Sequence, residues 1–361
     1  MVPLRAPALP APSPWGEASE GGRSPPPSEL ALARPRSVVT GGGGFIGSHM
    51  VDLLLAEGHD VVAVDDFSTG RPDNLAHHRG SRQLKVVAAD VCDGARMASE
   101  FAGAGWVFHF AALADIVPSI EHPERYLRAN VMGTLGALEA ARAAGVERFI
   151  YSASSSCYGI ADVYPTPETA PIRTEYPYAL SKYLGETMAL HWGQVYRLPV
   201  VSLRYFNAYG PRSRTSGTYG AVFGVFLAQK LNGQPFTIVG DGTQTRDFVF
   251  VTDVARANLL AAQSRSAGEV FNVGAGAPQS VNRLVELLGG PAVHVPKRPG
   301  EPDRTHADIS RIRRALGWEP TVSFEEGVKI MLDHIEDWRA APVWTVDTIA
   351  QATRDWFKYL G

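Results

Sequence analysis

The chain has 361 residues, 45% hydrophobic and 20% charged, enough apolar material for one large α/β domain or two closely joined ones. A net charge of −3 and a pI near 6.4, with no Lys/Arg cluster, argue against a nucleic-acid-binding surface; no apolar run of about 18 residues is present, so no membrane span is expected. Two cysteines, Cys92 and Cys157, make a disulfide framework unlike this chain and suit a reducing compartment.

The first 36 residues hold 9 of the 26 prolines, among Ala, Ser and Gly. Such a segment buries too little apolar surface to offset its ordering entropy, and its prolines interrupt every candidate signal-peptide core. Residues 1–35 are therefore expected to be a disordered tail without chemistry. From Arg36 short β-branched runs alternate with helical patterns. Strands are expected at Ser37–Thr40, Val61–Val64, Lys85–Ala89, Trp106–Phe110, Arg148–Tyr151 and Pro199–Leu203. Helices are expected at Phe45–Glu57, Glu124–Ala144 and Tyr178–Tyr196. Apolar strands separated by crossover helices predict an α/β fold, a Rossmann-type doubly wound parallel sheet. After Tyr209 the rhythm loosens. Strands at Phe236–Val239 and Val270–Val273, with helices at Val251–Ala262, Val281–Leu288 and Phe324–Arg339, predict a smaller C-terminal α/β substrate lobe. The expected division is a cofactor domain over 36–210 with later segments interleaved, a lobe over 211–340, and an aromatic-rich extension over 341–361. That extension reads as an amphipathic segment docking either on the body or on a partner.

Thr40-Gly-Gly-Gly-Gly-Phe-Ile-Gly47 follows the first strand and opens the first helix, with Gly41, Gly44 and Gly47 three residues apart. Four consecutive glycines can be a plain loop. In this context they permit a tight turn and close approach of a pyrophosphate to the helix N-terminus. Asp65, 18 residues past Gly47 at the end of the second strand, is placed to accept from an adenosine ribose hydroxyl, which favours NAD over NADP. Asp90, followed by Val91, ends the third strand and is either a turn cap or an adenine contact. The small residues of Phe110-Ala111-Ala112 leave room for a cofactor across the strand ends.

Tyr178 and Lys182 stand at i and i+4 on one helix face. Such a pair is commonly a surface pair. A phenol titrates near 10, too high for a base at neutral pH, and a neighbouring ammonium or a positive nicotinamide would lower it. The serine-rich strand end Tyr151-Ser-Ala-Ser-Ser-Ser-Cys-Tyr-Gly159 brings hydroxyls toward that helix, which suits combined proton and hydride transfer. His77, His78 and His109 form no metal-like pattern, and loop and core roles are expected for them.

Together the glycine loop, this serine strand end, Tyr178-x-x-x-Lys182 and Leu203-Arg-Tyr-Phe-Asn-Ala-Tyr-Gly210 resemble the extended short-chain dehydrogenase/reductase family, and within it the nucleotide-sugar 4-epimerases. The resemblance covers about 37–340. It implies an NAD cofactor held by Gly41, Gly44, Phe45, Ile46, Gly47, Asp65, Asp90, Val91, Phe110, Ala111, Ala112, Asn130, Tyr178, Lys182 and Tyr205. It implies Ser154 as the catalytic hydroxyl, Tyr178 as base and Lys182 as its activator. Ser154, Ser155, Tyr178, Phe206, Asn207, Arg246, Arg298 and Thr305 would line the site of a UDP-sugar, with the two arginines on the diphosphate. Outside the family, Arg246 reads as an ordinary ion-pair arginine. No metal, nucleic acid or membrane partner is implied; a cytoplasmic homodimer is.

Within the family, 4,6-dehydratases carry an Asp-Glu pair just after the catalytic hydroxyl. Ser155 and Ser156 stand there instead and cannot do carboxylate work, which favours epimerisation unless Asp115 supplies an acid. A lysine common in simple UDP-glucose epimerases is missing from Leu113-Ala-Asp-Ile116. The family's gate beside the sugar 2-position is the small Thr305, which would admit N-acetylhexosamines as well as hexoses. A net oxidoreductase and a non-catalytic NAD-binding scaffold remain as rivals on the same fold.

Overall fold

A computed structural model describes residues 34–214 and 221–361. The expected tail lies, up to Ala33, outside the described residues; Arg34–Gly361 form one compact unit.

Strands β1 (Arg36–Thr40), β2 (Asp60–Asp65), β3 (Leu84–Ala88), β4 (Trp106–His109), β5 (Arg148–Ser154) and β6 (Val200–Tyr205) alternate with α1 (Phe45–Ala56), α2 (Gly94–Phe101), α3 (Ile116–Glu121), α4 (Pro123–Leu127), α5 (Gly133–Ala144) and α6 (Pro177–Tyr196). The rest comprises β7 (Asn207–Tyr209), α7 (Val222–Leu231), β8 (Phe236–Val239), β9 (Thr245–Arg246), β10 (Phe248–Phe250), α8 (Val251–Gln263), β11 (Glu269–Val273), β12 (Gln279–Ser280), α9 (Val281–Leu288), β13 (Ala292–Val295), α10 (Ser310–Leu316), α11 (Phe324–Asp333), α12 (Val346–Ala352) and α13 (Arg354–Leu360).

The main sheet is parallel, in the order β11-β6-β5-β4-β1-β2-β3. Strand order reverses between β1 and β4, and a crevice opens at the carboxyl ends of the strands there. α1 and α8 pack together on one face, over Val39, Met50, Phe108 and Leu203; α2, α5 and α6 cover the other, over Met97, Phe101, Leu138 and Phe149. Val270–Val273 was expected among the lobe strands. It belongs instead to β11, which adds a seventh strand to the main sheet beside β6, Phe271 opposite Leu203. Phe271 and Val273 share one face and enter the core beneath α1 and α8, while Asn272 is buried on the other.

The predicted helix Glu124–Ala144 is three pieces: α4, a π-helical turn at Arg128–Met132, and α5. The wide turn carries Asn130, whose amide is spent on main-chain groups of Leu113 and on Ser181 Oγ. The lobe has its own core of Phe223, Phe226, Phe236, Phe248, Phe324 and Trp338. Two small parallel pairs, β7 with β10 and β8 with β13, set its edge against the crevice.

Candidate active site

A cavity of about 740 Å³ runs between the carboxyl ends of the sheet and the lobe. Every residue that the sequence assigned to cofactor or sugar lies on its wall, Asn130 excepted. Asn130 is buried behind it: Oδ1 accepts from Leu113 N at 2.7 Å, while Nδ2 donates to Leu113 O at 2.9 Å and to Ser181 Oγ at 2.8 Å. It therefore fixes the chain after β4 and ties it to α6.

At one end the glycine turn leaves no room for side chains. Gly41 has φ +69°, and a Cβ there would meet Ala111 N at 2.7 Å; one on Gly47 would lie 2.0 Å from Gly41 O. The N-terminus of α1 thus opens on the cavity with no side-chain cap. Asp65 accepts from Gly43 N at 2.9 Å and Phe67 N at 2.8 Å, which orients its carboxylate toward the cavity with a lone pair left on each oxygen. Burial raises its pKa and those backbone donors oppose the rise. This bare, shape-restricted cradle beside an oriented carboxylate fits a dinucleotide. Asp90 both caps a turn, accepting from Cys92 N at 2.8 Å, and pairs with Arg128 at 3.1 Å.

At the end of β5, α6 brings Tyr178 and Lys182 onto the cavity wall beside Ser154. Tyr176 stacks 6.4 Å from the Tyr178 ring and Tyr126 meets it edge-on. Burial raises the pKa of Tyr178, and a hydrogen bond from Ser154 pulls it partly back. The lowering expected from Lys182 is not found, and the net shift is upward. Lys182 is buried, its ammonium 4.7 Å from the Tyr151 ring centroid, and desolvation pushes it down to about 7 despite Glu186 one turn on. Ser154 Oγ lies 2.8 Å from Ser156 Oγ, so two of the serines share one hydrogen-bonded pair.

Asp115, in a left-handed conformation (φ +82°), contributes a negative field at Tyr178 and is ion-paired with Arg214. Both line the cavity. At the far end Arg246 donates to Glu301 Oε1 at 2.7 Å, and Arg298 lies 3.6 Å from Glu301 Oε2. One carboxylate therefore faces the two guanidinium groups assigned to a diphosphate. Thr305 Oγ1 donates to Asn207 Oδ1 at 2.8 Å and accepts from Asp247 N at 2.9 Å, which locks the proposed gate residue in place.

Sequence reasoning missed the groups assembled from distant segments. Behind Lys182, Glu186 accepts from Arg204 Nη2 at 2.6 Å, Arg204 Nε at 3.0 Å and Ser202 Oγ at 2.9 Å, all buried. The arginine in Leu203-Arg-Tyr-Phe was the one available sign, since a charge inside a buried strand needs a partner. Trp344 and Trp356 of the extension also reach the cavity. His77 and His78, read as ordinary loop residues, converge with Asp52 on one point, with Nε2 atoms 2.8 and 2.7 Å from Asp52 Oδ1. These are hydrogen-bond separations, and Arg212 pairs with the other oxygen at 2.5 Å. His109 is a core residue, held between Thr40 at 2.7 Å and Thr134 at 3.0 Å.

The glycine cradle, the oriented acid and the Ser–Tyr–Lys group occur together with a family match: residues 37–274 fit the NAD dependent epimerase/dehydratase family. The chain belongs to that family. NAD is its cofactor, and it is an enzyme of the epimerase type. It is 38% identical over 303 residues to a UDP-glucose 4-epimerase of Mycolicibacterium smegmatis, covering 81% of this chain and 96% of that protein. A solved UDP-glucose 4-epimerase of Thermotoga maritima with UDP-glucose is 37% identical with a TM-score of 0.78, covering 84% of this chain and 99% of the other. A UDP-N-acetylglucosamine 4-epimerase of Methanobrevibacter ruminantium, solved with UDP-N-acetylmuramic acid, is 32% identical with a TM-score of 0.80, covering 85% and 99%.

Proposed function

We propose that this protein is a UDP-sugar 4-epimerase that inverts C4 of UDP-glucose and UDP-galactose and accepts UDP-N-acetylhexosamines. The observation that carries the reading is the single cavity holding a dinucleotide cradle, Ser154, Tyr178 and Lys182 at its centre, and Arg246 and Arg298 beyond them. Guanidinium forks suit a diphosphate, and a sugar anchored by it in this cavity shares the cavity with Tyr178.

NAD bound in the cradle supplies a hydride acceptor and a positive charge beside the phenol. Gly41, Gly44 and Gly47 would hold its pyrophosphate, Asp65 its adenosine ribose and Lys182 its nicotinamide ribose. Tyr178 takes the proton of the C4 hydroxyl, with Ser154 hydrogen-bonded to the same oxygen. The sugar becomes a 4-ketone, turns about its diphosphate anchor, and receives hydrogen on its other face while Tyr178 returns the proton. Burial keeps water from the ketone. The small Thr305 leaves space beside the sugar 2-position.

Elimination of water across C5 and C6 requires a free acid and base. Ser155 and Ser156 offer neither, and the carboxylate of Asp115 is engaged by Arg214. That arginine favours a second reading. A guanidinium on the cavity wall, paired there with Asp115, suits the C6 carboxylate of a UDP-hexuronate, which would displace Asp115 from it. We further propose a cytoplasmic homodimer. Leu127, Met132, Leu180 and Leu184 are exposed on the neighbouring α4, π-turn and α6, an apolar helix pair available to a second copy.

The test is incubation of the purified, NAD-containing protein with UDP-glucose, UDP-N-acetylglucosamine and UDP-glucuronate, products being assigned by NMR. C4 epimers without net NADH are expected from the first two. A 4-keto-6-deoxy product, or stoichiometric NADH, would overturn the reading; epimerisation confined to the uronate would select the second one.

A further inference from the structure

The extension after Arg339 does more than cover the lobe. The carbonyl of Trp344 accepts from buried Gln229 at 2.7 Å, and Thr345 and Thr348 form a reciprocal cap that starts α12. Ile349 enters the lobe core, and α13 then packs on α3, directly after Asp115, with Trp356 on the cavity wall. On the way Trp356 is buried at 4% exposure. Its Nε1 donates to Pro299 O at 2.7 Å, and Cζ of Arg298 stands 5.4 Å from its ring centroid. Leu360 lies beside Gly300. The strap thus grips the Arg298–Glu301 loop by a backbone hydrogen bond, an apolar contact and a cation–π contact.

We propose that Trp356 is a positioning residue for substrate: it presets Arg298 for the diphosphate of the sugar nucleotide. This rests on the diphosphate reading of Arg298 given above. A guanidinium lying on an aromatic face keeps its edge N–H donors for anionic oxygens. The hydrogen bond to Pro299 holds the main chain immediately after Arg298. A side chain ordered in advance loses less freedom on binding, so the strap strengthens substrate binding without entering the chemistry. The class of ligand that senses Trp356 is therefore the nucleoside diphosphate portion, shared by every substrate, and not the sugar.

The experiment titrates UDP into the full-length, NAD-loaded protein by calorimetry, with kcat, KM and NAD content measured on the same samples. Trp356→Leu keeps an apolar filler and removes both the π face and the N–H. It is expected to weaken UDP about tenfold, equivalent to 1.4 kcal/mol, and to raise KM alike with kcat within about twofold. NAD content should not change. Trp356→Phe restores the π face and should return UDP affinity to within about threefold of the parent. Arg298→Ala should weaken UDP more than Trp356→Leu does, and adding Trp356→Leu to it should cost less than about twofold further. Unchanged UDP affinity in folded Trp356→Leu overturns the proposal, as does an undiminished tenfold loss in the Arg298→Ala background. Unchanged affinity in Arg298→Ala alone overturns it by a separate route, since the diphosphate reading of Arg298 then fails while the epimerase assay stands.

Discussion

Replacing Glu186 by Gln tests the charge network that supports the reacting centre. Glu186 accepts three close hydrogen bonds, two from Arg204 and one from Ser202, and its side chain is 3% exposed against 7% for Arg204. The amide keeps the shape but removes the counter-charge, so a buried guanidinium remains uncompensated. Breaking one side of such a pair costs about 3–5 kcal/mol. A chain unit running from Arg34 to Gly361 has an unfolding entropy of about 0.7 kcal/mol/K at ~2.1 cal/mol/K per residue, so Tm should fall by about 4–7 °C. The change also reaches the active site. Glu186 is the group that opposes the desolvation of Lys182. Without it the lysine loses its proton at lower pH, and the alkaline limb of kcat should move to lower pH. Thermal unfolding followed by circular dichroism at saturating NAD, with a kcat–pH profile on the same preparation, measures both. A Tm within 1 °C of the parent together with an unmoved profile would refute the coupling of this ion pair to stability and to Lys182.

Tyr178→Phe retains the ring contacts with Tyr126 and Tyr176 and removes the proposed base; turnover should drop about 10²–10⁴-fold with bound NAD retained, and a loss under tenfold would remove Tyr178 from the mechanism. Thr305→Tyr fills the space beside Asn207 and should lower kcat/KM for UDP-N-acetylglucosamine relative to UDP-glucose by about 10–100-fold, measured with both sugars side by side. Burial depresses His49 to about 4 and His109 to about 3, below their ordinary 6.5. The unfolded chain then binds more protons than the folded one below pH 6.5, so this contribution is complete above that pH and is lost as pH falls toward 4. Urea unfolding should show roughly 2–4 kcal/mol less stability at pH 5 than at pH 7, and His109→Gln should flatten the slope; stability independent of pH over that range would contradict the assignment of neutral folded imidazoles.

The parallel sheet, the glycine turn, Asp65 and the Tyr178–Lys182 pair were legible because each is a local pattern. Strands covered on both faces must be apolar throughout, a turn packed against Ala111 admits only glycine, and residues four apart on a helix share a face. Absence was legible too: Ser155 and Ser156 cannot supply carboxylate chemistry wherever they lie. Tertiary structure decided what depends on neighbours far along the chain. It moved Val270–Val273 into the main sheet, because pairing with β6 is fixed by the crossover of α8 and not by the strand's own residues. It showed that burial, which no local spacing reports, raises Tyr178 and lowers Lys182 itself. It also carried Trp356 from the chain's end, 58 positions beyond Arg298, onto the guanidinium of that arginine. Sequence thus determined which groups the chain possesses and the periodicity that arrays them. Solvent exclusion and long-range contact, which arise only once the chain is packed, determined their charge, their partners and their reach.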